Sequence, residues 1–183
     1  MTTDTQPASV YDLAHDEEPE NLATFAVLVD NEPGVLHRLV GLFAASGYNI
    51  ESLTGAETDR RAHTSRVTIV TRGTPHVLSQ IEAQLEKMVS TRHVQDVTRD
   101  PNGLERELAL VKVRGSGADR VEALRVSEIF RAKVIDTTHE SFVFEVTGAS
   151  SKIDSFIELM RPLGLAEVSR TGVLSIQRGA RAL

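Results

Sequence analysis

The sequence predicts an α+β protein made of two tandem ferredoxin-like βαββαβ units, and three observations lead there. Apolar residues switch from strand-like to helix-like spacing and back across residues 22–99. A cluster of turn formers, Asp100, Pro101, Asn102 and Gly103, then interrupts the chain. After it the same succession of periods begins again. Each unit offers a sheet with helices on one face, so the opposite face has to be solvated or packed on a partner.

Residues 1–21 are polar and acidic, closing on Asp16, Glu17, Glu18, Pro19, Glu20 and Asn21. They carry no period, and we read them as a disordered tail. The first unit, taken as 22–100, opens with a strand at 22–29, where the run 25–29 is apolar enough to be buried. A helix at 33–46 follows, because Val35, Leu36, Leu39, Val40, Leu42 and Phe43 recur at helical spacing. Strands are expected at 48–57 and 64–72; in the latter, residues 66–70 alternate as in a strand with one buried face. A second helix at 75–89 places Val77, Leu78, Ile81, Leu85 and Met88 on one side, with Thr74 as its cap and Pro75 in first position. A strand at 92–99 completes the unit.

The second unit, 104–183, repeats the order. A strand at 108–113 leads to a helix marked by Val121, Leu124, Val126, Ile129 and Phe130. A hairpin of 134–138 and 142–146 follows, then a helix carrying Ile153, Phe156, Ile157 and Met160, and a last strand at 168–176.

Composition narrows the function classes. Hydrophobic residues make up 40% of the 183, enough for a packed core, but only 4% of the chain is aromatic, so aliphatic residues must fill most of it. A net charge of −6 argues against a general affinity for nucleic acid or anionic membrane. There is no cysteine, hence no disulfide, thiolate metal site or cysteine nucleophile. No apolar run approaches the length of a membrane span and no leader pattern opens the chain, which points to a cytoplasmic protein.

No converging set of acids, bases and nucleophiles is recognisable. The six histidines, His15, His37, His63, His76, His93 and His139, are dispersed without ligand spacing, and we read them as surface residues. Glu105 and Glu107 fall on one side of a strand start and are read as a charged rim. Gly115, Ser116 and Gly117 sit where a dinucleotide loop would, yet Arg120 stands at the third glycine position; a simple strand-to-helix turn is the better reading. Phe142 and Phe144 share a strand face, as RNA-stacking aromatics do, but the accompanying glycine is missing and the net charge is wrong, so they are assigned to the core.

One turn stands apart. Across residues 30–34 a strand becomes a helix through Asp30, Asn31, Glu32, Pro33 and Gly34. Asn31 is expected to cap the helix, Pro33 to occupy its first turn, and Gly34 to let another group approach the backbone. The free N–H groups at such a start form a cradle for a carboxylate, and we place a ligand there.

The same stretch carries a resemblance. D-N-E-P-G-V-L at 30–36 and G-L-F-A-A-S-G-Y-N-I-E-S-L-T at 41–54, followed by Thr58-Asp59 and Ser65-Arg66, resemble the small regulatory subunit of acetolactate synthase, also called acetohydroxyacid synthase. This is an ACT-domain family. The likeness continues through Leu110-Val111-Lys112-Val113 and Glu128-Ile129-Phe130-Arg131 to Ser175-Ile176-Gln177-Arg178-Gly179, leaving residues 1–21 outside it. A generic ACT domain would share the first turn but rarely the segment 47–53.

The resemblance implies that the first unit is an ACT domain and that two chains join their ACT domains side by side as a homodimer. An amino acid then binds between the turn of one chain and second-strand residues of the other. Carried to matching positions, Asn31, Gly34, Val35 and Leu36 meet one end of the effector, and Asn49 and Ile50 of a second copy meet the other. The implied function is a non-catalytic subunit that activates a catalytic subunit and confers feedback inhibition by a branched-chain amino acid, valine. That catalytic partner would carry thiamine diphosphate, Mg²⁺ and FAD, and condense pyruvate with pyruvate or 2-oxobutyrate. This chain itself is expected to need no cofactor and no metal. The alternatives are a free-standing ACT-domain amino-acid sensor or transcriptional modulator, and an enzyme with an unrecognised site. The second unit has Arg114-Gly115-Ser116-Gly117-Ala118 in place of D-N-E-P-G and is not expected to bind the effector in the same way.

Overall fold

A computed structural model describes residues 19–180. The expected acidic tail therefore lies almost wholly outside the described residues. Its last three residues, 19–21, are described, and Asn21 opens the first strand, paired with Gly73.

The first unit runs β1 (Asn21–Asp30), α1 (Val35–Ser46), β2 (Ser52–Asp59), β3 (Thr64–Gly73), α2 (Pro75–Glu86) and β4 (Thr91–Asp96). Its sheet has the order β2-β3-β1-β4, with every pair antiparallel. Alternation in β1 aims Phe25, Val27 and Val29 at the helices, where they meet Leu39, Phe43, Leu78, Ile81 and Leu85 in one core. Thr74 caps α2 through the amide of Val77, and Pro75 opens that helix as its missing donor allows.

The second unit runs β5 (Gly103–Arg114), α3 (Gly117–Ile129), β6 (Lys133–Thr137), β7 (Ser141–Gly148), α4 (Ser150–Met160), β8 (Leu165–Arg170) and β9 (Leu174–Gln177). Its sheet has the order β6-β7-β5-β8, and β9 pairs with the first residues of β5. Val111, Val113, Phe144, Ile153, Phe156 and Met160 form the core. Phe156 stacks against Phe130 and Phe144 at centroid distances of 5.4 and 6.0 Å. Phe142 and Phe144 are both core residues, as expected.

Several elements depart from the sequence reading, each for a local reason. Helix α1 starts at Val35 because Gly34, at φ 84°, is left-handed and cannot be its first turn. Strand β2 starts at Ser52, not at 48. Ahead of it the Tyr48 amide closes α1 by donating to the Phe43 carbonyl, and the Asn49 carbonyl accepts from the Thr71 hydroxyl at 2.6 Å. Helix α3 buries Ala123, Val126 and Ser127, while Val121 and Ile129 are 51% and 77% exposed, so the apolar stripe expected there is split by the helix phase. The expected last strand, 168–176, is two strands. Gly172, at φ 81°, breaks it, and β9 turns away from the line of β8 to pair with the first residues of β5.

That break answers what covers the first sheet. Thr24, Ala26, Thr68 and Val70 face away from α1 and α2 yet are buried. Strand β9 lies against β1, and Val173 and Ser175 are buried with it. The helix-free face of the first sheet is packed on this chain's own second unit.

Candidate functional site

The turn between β1 and α1 is held from three sides. Asp30 accepts from Arg92 Nε at 2.6 Å, the Asn31 amide donates to the His63 carbonyl at 2.7 Å, and Arg38 donates to Ser90 Oγ at 2.8 Å. Asn31 does not cap α1. Its side chain donates instead to Glu57 Oε1 at 3.1 Å, tying the turn to β2, and no side chain caps the helix. Among the described residues, the amides of Gly34, Leu36 and His37 have no hydrogen-bond acceptor. They are the orphan donors that every helix start leaves.

These donors border a cavity of about 320 Å³. Asn31, Gly34, Val35 and Leu36 all line it, with Gly55, Ala56 and Glu57 of β2 and Ser65 and Val67 of β3 opposite. Its apolar wall is Leu36, 45% exposed, and Val67. Gly55 lies between them: a β carbon on it would touch both Leu36 and Val67 at 3.6 Å, so only a larger side chain would crowd the wall. Two carboxylates border the site, and each is already paired. Arg38 approaches Glu32 at 3.3 Å, and Arg60 approaches Glu57 at 3.4 Å. With those charges compensated, the amide dipoles of the helix start favour an anion.

Val35, 5% exposed, lines the cavity and also belongs to the first core, as Val67 does. Asn49 and Ile50 do not join this cavity within one chain. They lie beyond the other end of β2, where Asn49 is exposed and donates to Glu51 at 3.2 Å. Gly55, Glu57, Ser65 and Val67 are lining residues that the sequence reading did not single out. A glycine inside a strand was the available signal for one of them, since it marks a close approach.

Three larger clefts, of about 480, 510 and 390 Å³, lie elsewhere. In the first, Arg99 pairs with Asp96 and Glu82, and in the second, Arg170 pairs with Glu107 and Asp154. Glu107 is not the rim residue expected from sequence. It is 4% exposed, and both its oxygens accept from Arg170 at 2.6 Å. The Arg170 hydrogen bonds hold its carboxyl below the usual carboxylate range against the opposing effect of burial, and the Arg170 guanidinium is held correspondingly above its own.

The turn of Gly115, Ser116 and Gly117 is a plain connection. Arg120 stacks over Phe142 at 3.8 Å and donates to the Thr138 carbonyl at 2.7 Å, which fixes the facing hairpin turn. Among the described residues no cluster of histidines and carboxylates could hold a metal ion, and no helix is long and apolar enough to cross a membrane.

A βαββαβ unit whose first turn sets a helix start beside a small pocket defines a class, the ACT-type domain. Residues 25–93 match a model described as the acetohydroxyacid synthase small subunit-like ACT domain, and residues 106–179 match one described as the small subunit of acetolactate synthase. The chain is 44% identical over 156 residues to a probable acetolactate synthase small subunit of Archaeoglobus fulgidus, covering 85% of this chain and 96% of that one. It is 43% identical over 159 residues to the acetolactate synthase isozyme 3 small subunit of Escherichia coli, covering 86% and 96%. The crystal structure of an acetolactate synthase small subunit from Thermotoga maritima superposes with a TM-score of 0.79 at 37% identity, covering 88% of this chain and 99% of that one. This chain belongs to the acetolactate synthase small-subunit family.

Proposed function

We propose that this chain binds valine at the turn between β1 and α1 and, through that site, imposes end-product inhibition on a catalytic acetolactate synthase subunit that it otherwise activates. The observation that carries the reading is the pocket itself: unpartnered amides of Gly34, Leu36 and His37 beside an aliphatic wall of Leu36 and Val67. Backbone donors suit the effector's carboxylate, and the wall suits a short branched side chain.

The pocket opens along β2, an edge strand paired with β3 alone. A second copy set against that edge would bring its own Asn49 and Ile50 to the half-built site. The Asn49 amide, able both to donate and to accept, would complete recognition of a zwitterion. In this reading the first unit, 22–100, is the effector-binding domain, the tail before it is dispensable, and the homodimer is the binding species. An effector between two copies has different affinity for their open and closed arrangements, which is what inhibition at a distance requires.

The catalytic partner supplies thiamine diphosphate, Mg²⁺ and FAD, and this chain supplies no cofactor. Both act in the cytoplasm. The test is reconstitution. The purified chain alone should form no acetolactate, and added to its catalytic subunit it should raise the rate and make it valine-sensitive. Acetolactate formation by the chain alone, or an unchanged valine response in the mixture, would overturn the reading.

A further inference from the structure

The strand that walls the effector pocket also holds the second unit. Side chains of β2 alternate between its faces. Leu53 packs into the first core and Gly55 borders Leu36 and Val67, so these positions look toward α1. Ser52 and Thr54 look the other way, onto the turn between β8 and β9. Thr54 Oγ1 donates to the Thr171 carbonyl at 2.9 Å, and Ser52 Oγ accepts from the Val173 amide at 3.3 Å. Between these contacts Gly172 sits so close to both hydroxyls that a β carbon would collide with each.

The turn is tied firmly to its own unit. The Thr171 amide donates to the Leu108 carbonyl at 3.0 Å, the Leu108 amide donates back to Thr171 Oγ1 at 3.1 Å, and neighbouring Arg170 is clamped by Glu107 and Asp154. Strand β2 is an edge strand whose one neighbour in the sheet is β3, with a register shift between Glu57 and Asp59.

We infer that β2 transmits effector binding: occupancy of the pocket displaces the strand, and the turn at 171–173 follows, so the second unit's position reports the state of the first. One backbone carries both sets of side chains, three residues or fewer apart. Movement at Gly55 therefore cannot leave Ser52 and Thr54 in place. The proposal rests on the valine reading for what fills the pocket, but the mechanical link does not depend on it.

Two measurements test it. In the holoenzyme, coupling is reciprocal: the catalytic subunit must change valine affinity by the same factor by which valine changes its binding, roughly 5–150-fold in typical cases. The variant Ser52→Ala/Thr54→Val, with both hydroxyls gone, should still bind valine, but with the same affinity whether or not the catalytic subunit is present. Thr54→Ser, which keeps the donor, should preserve the parent ratio. In the full chain without effector, Gly55→Val should press β2 away from Leu36 and Val67 and speed amide exchange at 171–177. That increase should vanish when Ser52→Ala/Thr54→Val is added. A double variant that keeps the parent's affinity ratio, or unchanged exchange at 171–177 in Gly55→Val, overturns the coupling. A parent chain that binds no valine overturns the effector reading instead, and the exchange measurement still decides the link.

Discussion

Replacing Gly34 by aspartate separates the cost of the turn from the cost to the ligand. Gly34 has φ 84°, a conformation in which a residue with a β carbon loses roughly 1–2 kcal/mol, with Asp at the tolerant end. Space is not limiting, since the nearest atom to an added β carbon is Arg38 Nη1 at 3.6 Å. We therefore expect Gly34→Asp to fold and to melt a few degrees lower. Its carboxylate would stand beside the free amides, where the effector's own carboxylate is to bind. Two like charges about 4 Å apart repel by about 1 kcal/mol in water and about 4 kcal/mol at the effective dielectric of a protein surface. Valine affinity should then fall between about fivefold and a thousandfold. The assay is calorimetric titration of valine into the parent, Gly34→Asp and Gly34→Ala, with scanning calorimetry for stability. Gly34→Ala carries at least as much backbone strain, without the charge, and should keep most of the affinity. Equal loss in both variants would refute the carboxylate cradle, and undiminished binding in both would place the effector elsewhere.

Asn49→Ala should weaken valine binding about ten- to a hundredfold, the cost of an unmatched polar contact. If each site joins the turn of one copy to Asn49 of another, a mixed dimer of Gly34→Asp and Asn49→Ala chains keeps one intact site. Titration should then find half the parent's stoichiometry at the parent's affinity, and total loss would exclude a shared site. Glu107→Gln leaves the Arg170 guanidinium without its buried carboxylate and should cost about 3 kcal/mol in chemical denaturation. Because Glu107 titrates below its ordinary value of 4.5 in the folded chain, the stability it contributes is present above that value and is lost as pH falls through the lower folded one. Glu107→Gln should therefore flatten the acid limb of the stability profile; an unaltered limb would show that other carboxylates control it. Deleting residues 1–20 should leave the melting temperature and the dimer unchanged, and loss of the dimer by light scattering would make the tail structural.

Much of the architecture was legible because it is local. The change of period at residues 30–35 marked a strand, a turn and a helix, and the turn formers at 100–103 marked where the order restarts. The role of Asn31 was not legible. Capping is what its neighbours offer, but Gly34 holds the N-cap position and the Asn31 side chain turns to donate to the Glu57 carboxylate, 26 residues on. Glu107 was misread for the same reason, since its partner Arg170 lies 63 residues away.

The sequence by itself determined the two βαββαβ units, their helix-facing cores and the place of a helix start suited to an anion. Those follow from spacing, and spacing is a property of neighbours along the chain. Only the tertiary structure decided which wall faces that helix start, that Gly55 lies between Leu36 and Val67, and that the last strand breaks at Gly172 and sets β9 against β1. Each of these depends on atoms brought together from distant parts of the chain, where burial and hydrogen bonding override what any short segment prefers.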